Sequence, residues 1–162
     1  MKRLALPLIA LLLAAPLAAK DSLGVFSDWG AFRDPEVPRC YAIAMAQPSR
    51  NARDYQPFAS VGTWPGRNLR GQLHLRLSRK MSPAGAITLR VGQQSFDLTG
   101  GGGDAWAQDR TMDAAIVAAI RSANAMSVSA RDTNGANFTD RYSLAGAATA
   151  MDAATVGCAR LG

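Results

Sequence analysis

Apolar and polar side chains alternate with a period of two in several stretches, most clearly in Gln72-Leu73-His74-Leu75-Arg76-Leu77-Ser78. Three leucines face one way there and four polar groups the other, the pattern of a strand with one side on a core and one in water. Ile87, Leu89 and Val91 alternate with Thr88 and Arg90, and Gly92-Gln93 then turns the chain into residues 94–98, where Phe96 and Leu98 share a side. That spacing predicts a hairpin with a tight glycine turn. Met126, Val128 and Ala130 alternate with Ser127, Ser129 and Arg131, and residues 138–144 return after Asn134-Gly135. Asn-Gly supplies the positive φ angles that a two-residue turn needs, so a second hairpin is expected. Earlier strand candidates are residues 24–33, 39–46 and 58–64, interrupted by Pro35, Pro38, Pro48 and Pro57, none of which suits a central strand.

Two segments have a helical period instead. Residues 112–123 place Ile116, Val117 and Ile120 on one face, with Thr111 as the expected cap and Asp113 favourable in the first turn. The alanine-rich run 147–156 is expected to stop at Gly157 and to carry Cys158 to its partner. Strands dominate, so the expected fold is mainly β, an antiparallel β-sandwich or rolled sheet with two short α-helices.

The amino-terminal stretch is of another kind. Lys2 and Arg3 form a basic head, residues 4–13 are apolar apart from Pro7, and Ala14-Ala15-Pro16-Leu17-Ala18-Ala19 is a small-residue segment broken by a proline. These are the parts of a signal peptide, 1–19, with cleavage expected after Ala19. The apolar run is shorter than the roughly 20 residues of a bilayer-spanning helix, so no transmembrane span is expected after cleavage. Residues 20–162 have the length of one domain. Cys40 and Cys158 are the only cysteines. In a chain bound for an oxidising compartment they are expected to pair, in a periplasmic or secreted protein.

Motifs for chemistry are scarce. His74 is the only histidine and lies on the polar side of its strand, which argues against a Ser-His-Asp triad and against a two-histidine metal site. Residues 100–103 are four glycines with no Gly-Lys-Ser/Thr after them, and a flexible connection is the expected reading rather than a phosphate loop. Asp104, Asp109 and Asp113 are too widely spaced for a calcium loop. Trp29, Trp64 and Trp106 suit a core or its edge more than a sugar platform. No catalytic residue, metal ligand or cofactor is therefore assigned. Carboxylate chemistry would need two of Asp28, Asp34, Glu36, Asp54 and Asp140 to meet in a cleft.

Charge changes the picture. The chain has a net charge of +6, and Arg50, Arg53, Arg67, Arg70, Arg76, Arg79, Lys80 and Arg90 face only Asp54 between positions 50 and 90. Arg67, Arg70, His74, Arg76, Arg79, Lys80 and Arg90 are the candidate binding residues, with Arg76 and Arg90 expected on neighbouring strands beside His74. In an envelope compartment such a face meets anionic lipid, lipopolysaccharide or wall polymer rather than nucleic acid.

Phe26-Ser27-Asp28-Trp29, then Arg39-Cys40-Tyr41-Ala42-Ile43-Ala44, then Tyr142-Ser143-Leu144-Ala145-Gly146-Ala147-Ala148-Thr149-Ala150 resemble, in that order, segments of the invasion-associated locus B family of alphaproteobacterial exported proteins. The chain departs from that family in lacking a cysteine soon after the tryptophan, where Phe32 and Arg33 stand, and in lacking cysteines through its middle. The resemblance implies a periplasmic or outer-surface β domain and carries over no catalytic residue. Two functions are expected on these grounds. One is a non-catalytic envelope or interaction protein, whose partner is an anionic envelope or host surface or another envelope protein. The alternative is a small periplasmic hydrolase or enzyme inhibitor.

Overall fold

A computed structural model describes residues 20–83 and 85–159. The signal peptide expected at 1–19 lies outside the described residues. Ten strands form one antiparallel sheet: β1 (Asp21–Phe26), β2 (Trp29–Asp34), β3 (Arg39–Met45), β4 (Phe58–Trp64), β5 (Leu69–Arg76), β6 (Ile87–Val91), β7 (Gln94–Gly101), β8 (Asp104–Trp106), β9 (Ala125–Arg131) and β10 (Asn137–Ser143). Helices α1 (Arg110–Ser122) and α2 (Ala147–Cys158) complete the fold. Among the described residues no helix is long and apolar enough to cross a membrane.

The alternation is realised in the strands. Leu73, Leu75, Leu89 and Val128 are fully buried, together with Ile87, Val91 and Met126 on the same side of the sheet. Both hairpins form, pairing Leu89 with Phe96 and Val128 with Asp140, but the second closes through residues 132–136 with only Gly135 at positive φ, instead of through a two-residue Asn134-Gly135 turn. Spatial order across the sheet is β1-β2-β3-β4-β5-β8-β7-β6-β9-β10, and its far strand comes back towards the first three. Gln47 N–H donates to Arg141 O at 2.7 Å, and Trp29 Nε1–H donates to Ser143 O at 2.9 Å. These two bonds make the sheet a roll. The helices line its inner side, α2 against β1 to β4 and α1 against β5, β6 and β7.

Four local expectations are corrected. The segment 24–33 is two strands, because Ser27, at a φ of 51°, takes the left-handed conformation and reverses the chain before Trp29. Residues 100–103 are no flexible connection: β7 runs through Gly101, and β8 returns with Gly101 opposite Asp104. The cap of α1 is Asp109 instead of Thr111, its Oδ1 accepting Met112 N–H at 2.8 Å. Helix α2 continues through Gly157, where an added Cβ would collide with Leu23 Cδ1, so this glycine permits close packing on β1 rather than ending the helix.

Two contacts fix the helices. Asp113 on α1 is buried and accepts Leu73 N–H at 2.8 Å, one position beyond the last pair between β5 and β8. Burial pushes its carboxyl above the ordinary value, while that backbone hydrogen bond pulls the other way. On α2, Cys158 is joined to Cys40 of β3 with Cα atoms 5.5 Å apart.

Candidate binding face on the outer side of the sheet

With both helices inside the roll, the outward residues of the strands are left uncovered. On β2 to β5 and β8 these are largely rings. Phe32 stacks on Tyr41 with centroids 5.7 Å apart, His74 stacks on Trp106 at 5.2 Å, and Phe58 meets the edge of His74 at 5.3 Å. The rings of Phe32 and Trp64 lie along the sheet over Gly30 and Gly62, where an added Cβ would come within 2.8 and 2.7 Å of them. Glycine at those two positions therefore lets the rings lie flat.

The charges of Arg39, His74 and Arg76 in this half are matched. His74 Nε2 lies 2.9 Å from Asp104 Oδ1, and Arg76 Nη1 donates to Asp104 Oδ2 at 2.5 Å. Arg76 also covers the Tyr55 ring at 3.8 Å, and Arg39 covers Tyr41 at 4.8 Å while reaching Asp34 at 3.6 Å. Trp29 is wholly buried, as a core residue should be, whereas Trp64 and Trp106 are half-buried members of this surface.

The remaining strands, β7, β6, β9 and β10, present hydroxyls and guanidinium groups. Ser95, Arg90, Ser127 and Arg141 form one row across the four strands, and Asp97, Thr88, Ser129 and Thr139 form the next. Ser129 and Thr139 share a hydrogen bond of 2.8 Å. Arg90 and Arg141 are exposed and make no ion pair among the described residues.

The seven binding residues expected from sequence consequently separate. Arg76 and Arg90 are not neighbours, since β8 and β7 stand between β5 and β6. His74 and Arg76 share Asp104, and Arg79 reaches the buried Asp132 at 3.1 Å. Arg67, Arg70, Lys80 and Arg90 are exposed, with no ion pair among the described residues. Arg67 belongs to a short 3-10 turn after β4, and Arg70 lies near the start of β5. Sequence reasoning missed Asp104 as the partner of His74 and Arg76, and missed Arg141 altogether. The Asn134-Gly135 motif could not reveal that partner, because a two-residue turn there would set Tyr142 opposite Ser127, whereas the loop 132–136 sets Arg141 there.

Three of the clefts among these elements bear on the candidate residues. One of about 800 Å³ is lined by Arg90, Gln94, Asn124, Ser127 and Arg141, and no acidic residue lines it. A groove of about 490 Å³ between the helices and β4–β5 is apolar, with Val61, Val117, Met151 and Ala154 on its walls and Arg70 among its lining. In a third, of about 310 Å³, Asp140 meets Arg53 without a second carboxylate. Asp28, Asp34, Glu36 and Asp54 line none of the three. Among the described residues no group of three or more His, Cys, Asp or Glu side chains is placed to hold a metal ion.

Burial drives the Tyr142 hydroxyl upward in pKa, with the Asp140 charge adding to the shift and Arg53 opposing it. Asp152 is held below the ordinary carboxylate value by the hydrogen bond it accepts from Arg121. Compared with known proteins, the chain matches no family model, no curated protein and no solved structure.

Proposed function

We propose that the protein is an exported, non-catalytic binding domain of the bacterial envelope, akin to the invasion-associated locus B family, that associates with anionic surfaces. One observation carries this reading. Arg67, Arg70, Lys80 and Arg90 stand exposed without carboxylate partners among the described residues. Cations so placed attract polyanions over a range set by ionic strength. The signal-peptide pattern of 1–19 and the Cys40–Cys158 disulfide support an oxidising destination outside the cytoplasm.

Co-sedimentation with vesicles tests the proposal. Wild type is expected to pellet with phosphatidylglycerol vesicles at low ionic strength, to be released at high ionic strength, and to ignore phosphatidylcholine. An Arg67→Gln, Arg70→Gln, Arg90→Gln triple variant is expected to lose most of this association, whereas an Arg76→Gln, Asp104→Asn double variant, which removes both members of an ion pair and keeps the net charge, is expected to keep it. Equal binding by wild type and the triple variant, or no binding by wild type at low salt, would overturn the reading.

A further inference from the structure

We infer that Arg90, Ser127 and Arg141 form a site for a phosphate monoester, carried on a sugar. The inference rests on the anionic-surface reading for the source of its ligand and adds the group recognised. Register places Ser127 directly opposite Arg90 on one side and Arg141 on the other. Directly opposed residues in an antiparallel ladder lie roughly 4.5–5.5 Å apart at Cα, so the two arginines flank the serine hydroxyl at about 10 Å from each other. Like charges this close on one face repel, and elsewhere on this sheet the fold supplies a carboxylate, as Asp104 does for Arg76. Here the row holds only Ser95 besides these three, and no Asp or Glu lines the cleft they open into. An anion from outside the chain is the complement this arrangement lacks.

Geometry selects the kind of anion. A guanidinium presents a planar fork of donors that engages two oxygens at once. Two forks and one hydroxyl side by side in one row, lining one cleft, suit three terminal oxygens better than the two of a carboxylate, and a dianion better than a monoanion. At about 800 Å³ the cleft exceeds the size of the phosphate itself. Gln47, Gln94, Ser122 and Asn124 supply amide and hydroxyl groups around it. These polar groups match sugar hydroxyls, and Val91, Ala119 and Met126 beside them offer an apolar wall to the face of the ring.

Calorimetric titration with glucose 1-phosphate, inorganic phosphate and glucose provides the test. Glucose 1-phosphate is expected to bind wild type more tightly than inorganic phosphate, and glucose not at all. Arg90→Gln and Arg141→Gln are each expected to weaken glucose 1-phosphate by roughly tenfold or more, the loss of a charge-assisted hydrogen bond, while Arg110→Gln, at an exposed position on α1, leaves it unchanged. Phosphatidylcholine vesicles doped with diphosphorylated lipid A separate the sources. Sedimentation that both variants abolish assigns the phosphate to an envelope glycolipid, and titration without sedimentation assigns it to a free sugar phosphate. Equal affinity in all three variants, or glucose binding as well as its phosphate, would overturn the site. Sugar-phosphate binding by a protein that ignores phosphatidylglycerol would sink the surface reading and leave the site standing. Surface association by a protein blind to glucose 1-phosphate would sink the site alone.

Discussion

The half of the outer face built from β2 to β5 and β8 and the half built from β7, β6, β9 and β10 both carry arginine, and they use it in opposite ways. In the first, Arg76 lies on Asp104 and over Tyr55, Arg39 lies near Asp34 and over Tyr41, and flat rings fill the space between. In the second, Arg90 and Arg141 stand over serine and threonine with no carboxylate within ion-pair distance among the described residues. One guanidinium is part of the scaffold and the other is available to a ligand. Counting charge along the chain cannot separate them, because the acid that neutralises Arg76 arrives from 28 positions away by strand pairing.

The disulfide offers the largest perturbation of this contrast, since it staples α2 to β3 and so to the aromatic half alone. A Cys40→Ser, Cys158→Ser double variant is expected to lose on the order of 4–5 kcal/mol on the chain-entropy account of a loop this long. Urea unfolding measures the loss, and hydrogen exchange should rise in β1 to β4 before it rises in β6 and β9. Uniform loss of protection would show that the staple acts on the whole domain.

Core truncation comes next, and should not distinguish the halves. Leu75 on β5 and Leu89 on β6 are both fully buried in one hydrophobic cluster. Leu75→Ala and Leu89→Ala are each expected to cost about 2–5 kcal/mol in denaturant unfolding. A cost below about 1 kcal/mol at either position, outside that range, would mean that its half does not share a single core.

The smallest effect on stability and the sharpest on charge is expected from Asp104→Asn. Asp104 is only partly buried, so losing its charged bonds to His74 and Arg76 should cost about 1–2 kcal/mol. The variant also releases Arg76 from neutralisation, and its sedimentation with anionic vesicles should rise above that of wild type. No gain would show that the aromatic half is inert for reasons other than its pairing.

Local rules made much of this legible in advance. Alternation at Leu73, Leu75 and Leu77, the turn at Gly92-Gln93, and the face of Ile116 and Ile120 are decided within a few residues, and the structure has each of them. The hairpin around Asn134-Gly135 forms instead through the longer loop 132–136, with only Gly135 at positive φ. Strand β8 escaped because three residues after a run of glycine carry too little pattern to be read. The turn at Ser27 escaped because a serine at positive φ is imposed by packing rather than by preference. The order β5-β8-β7-β6, which sets Arg76 apart from Arg90, depends on contacts between distant segments and leaves no mark on either strand. For the site, the outward position of each arginine was readable and the presence or absence of its acid was not.

The link between β3 and α2 also constrains how the molecule is made. Cys40 is synthesised 118 positions ahead of Cys158, and the chain has no third cysteine. Until the second thiol emerges, an oxidant can join the first only to a small thiol or to another molecule. Once both are present, a single intramolecular pairing exists, and nothing remains for an isomerase to sort. An oxidase alone suffices for maturation, and the expected by-product of premature oxidation is a covalent dimer through Cys40 rather than a misbridged monomer.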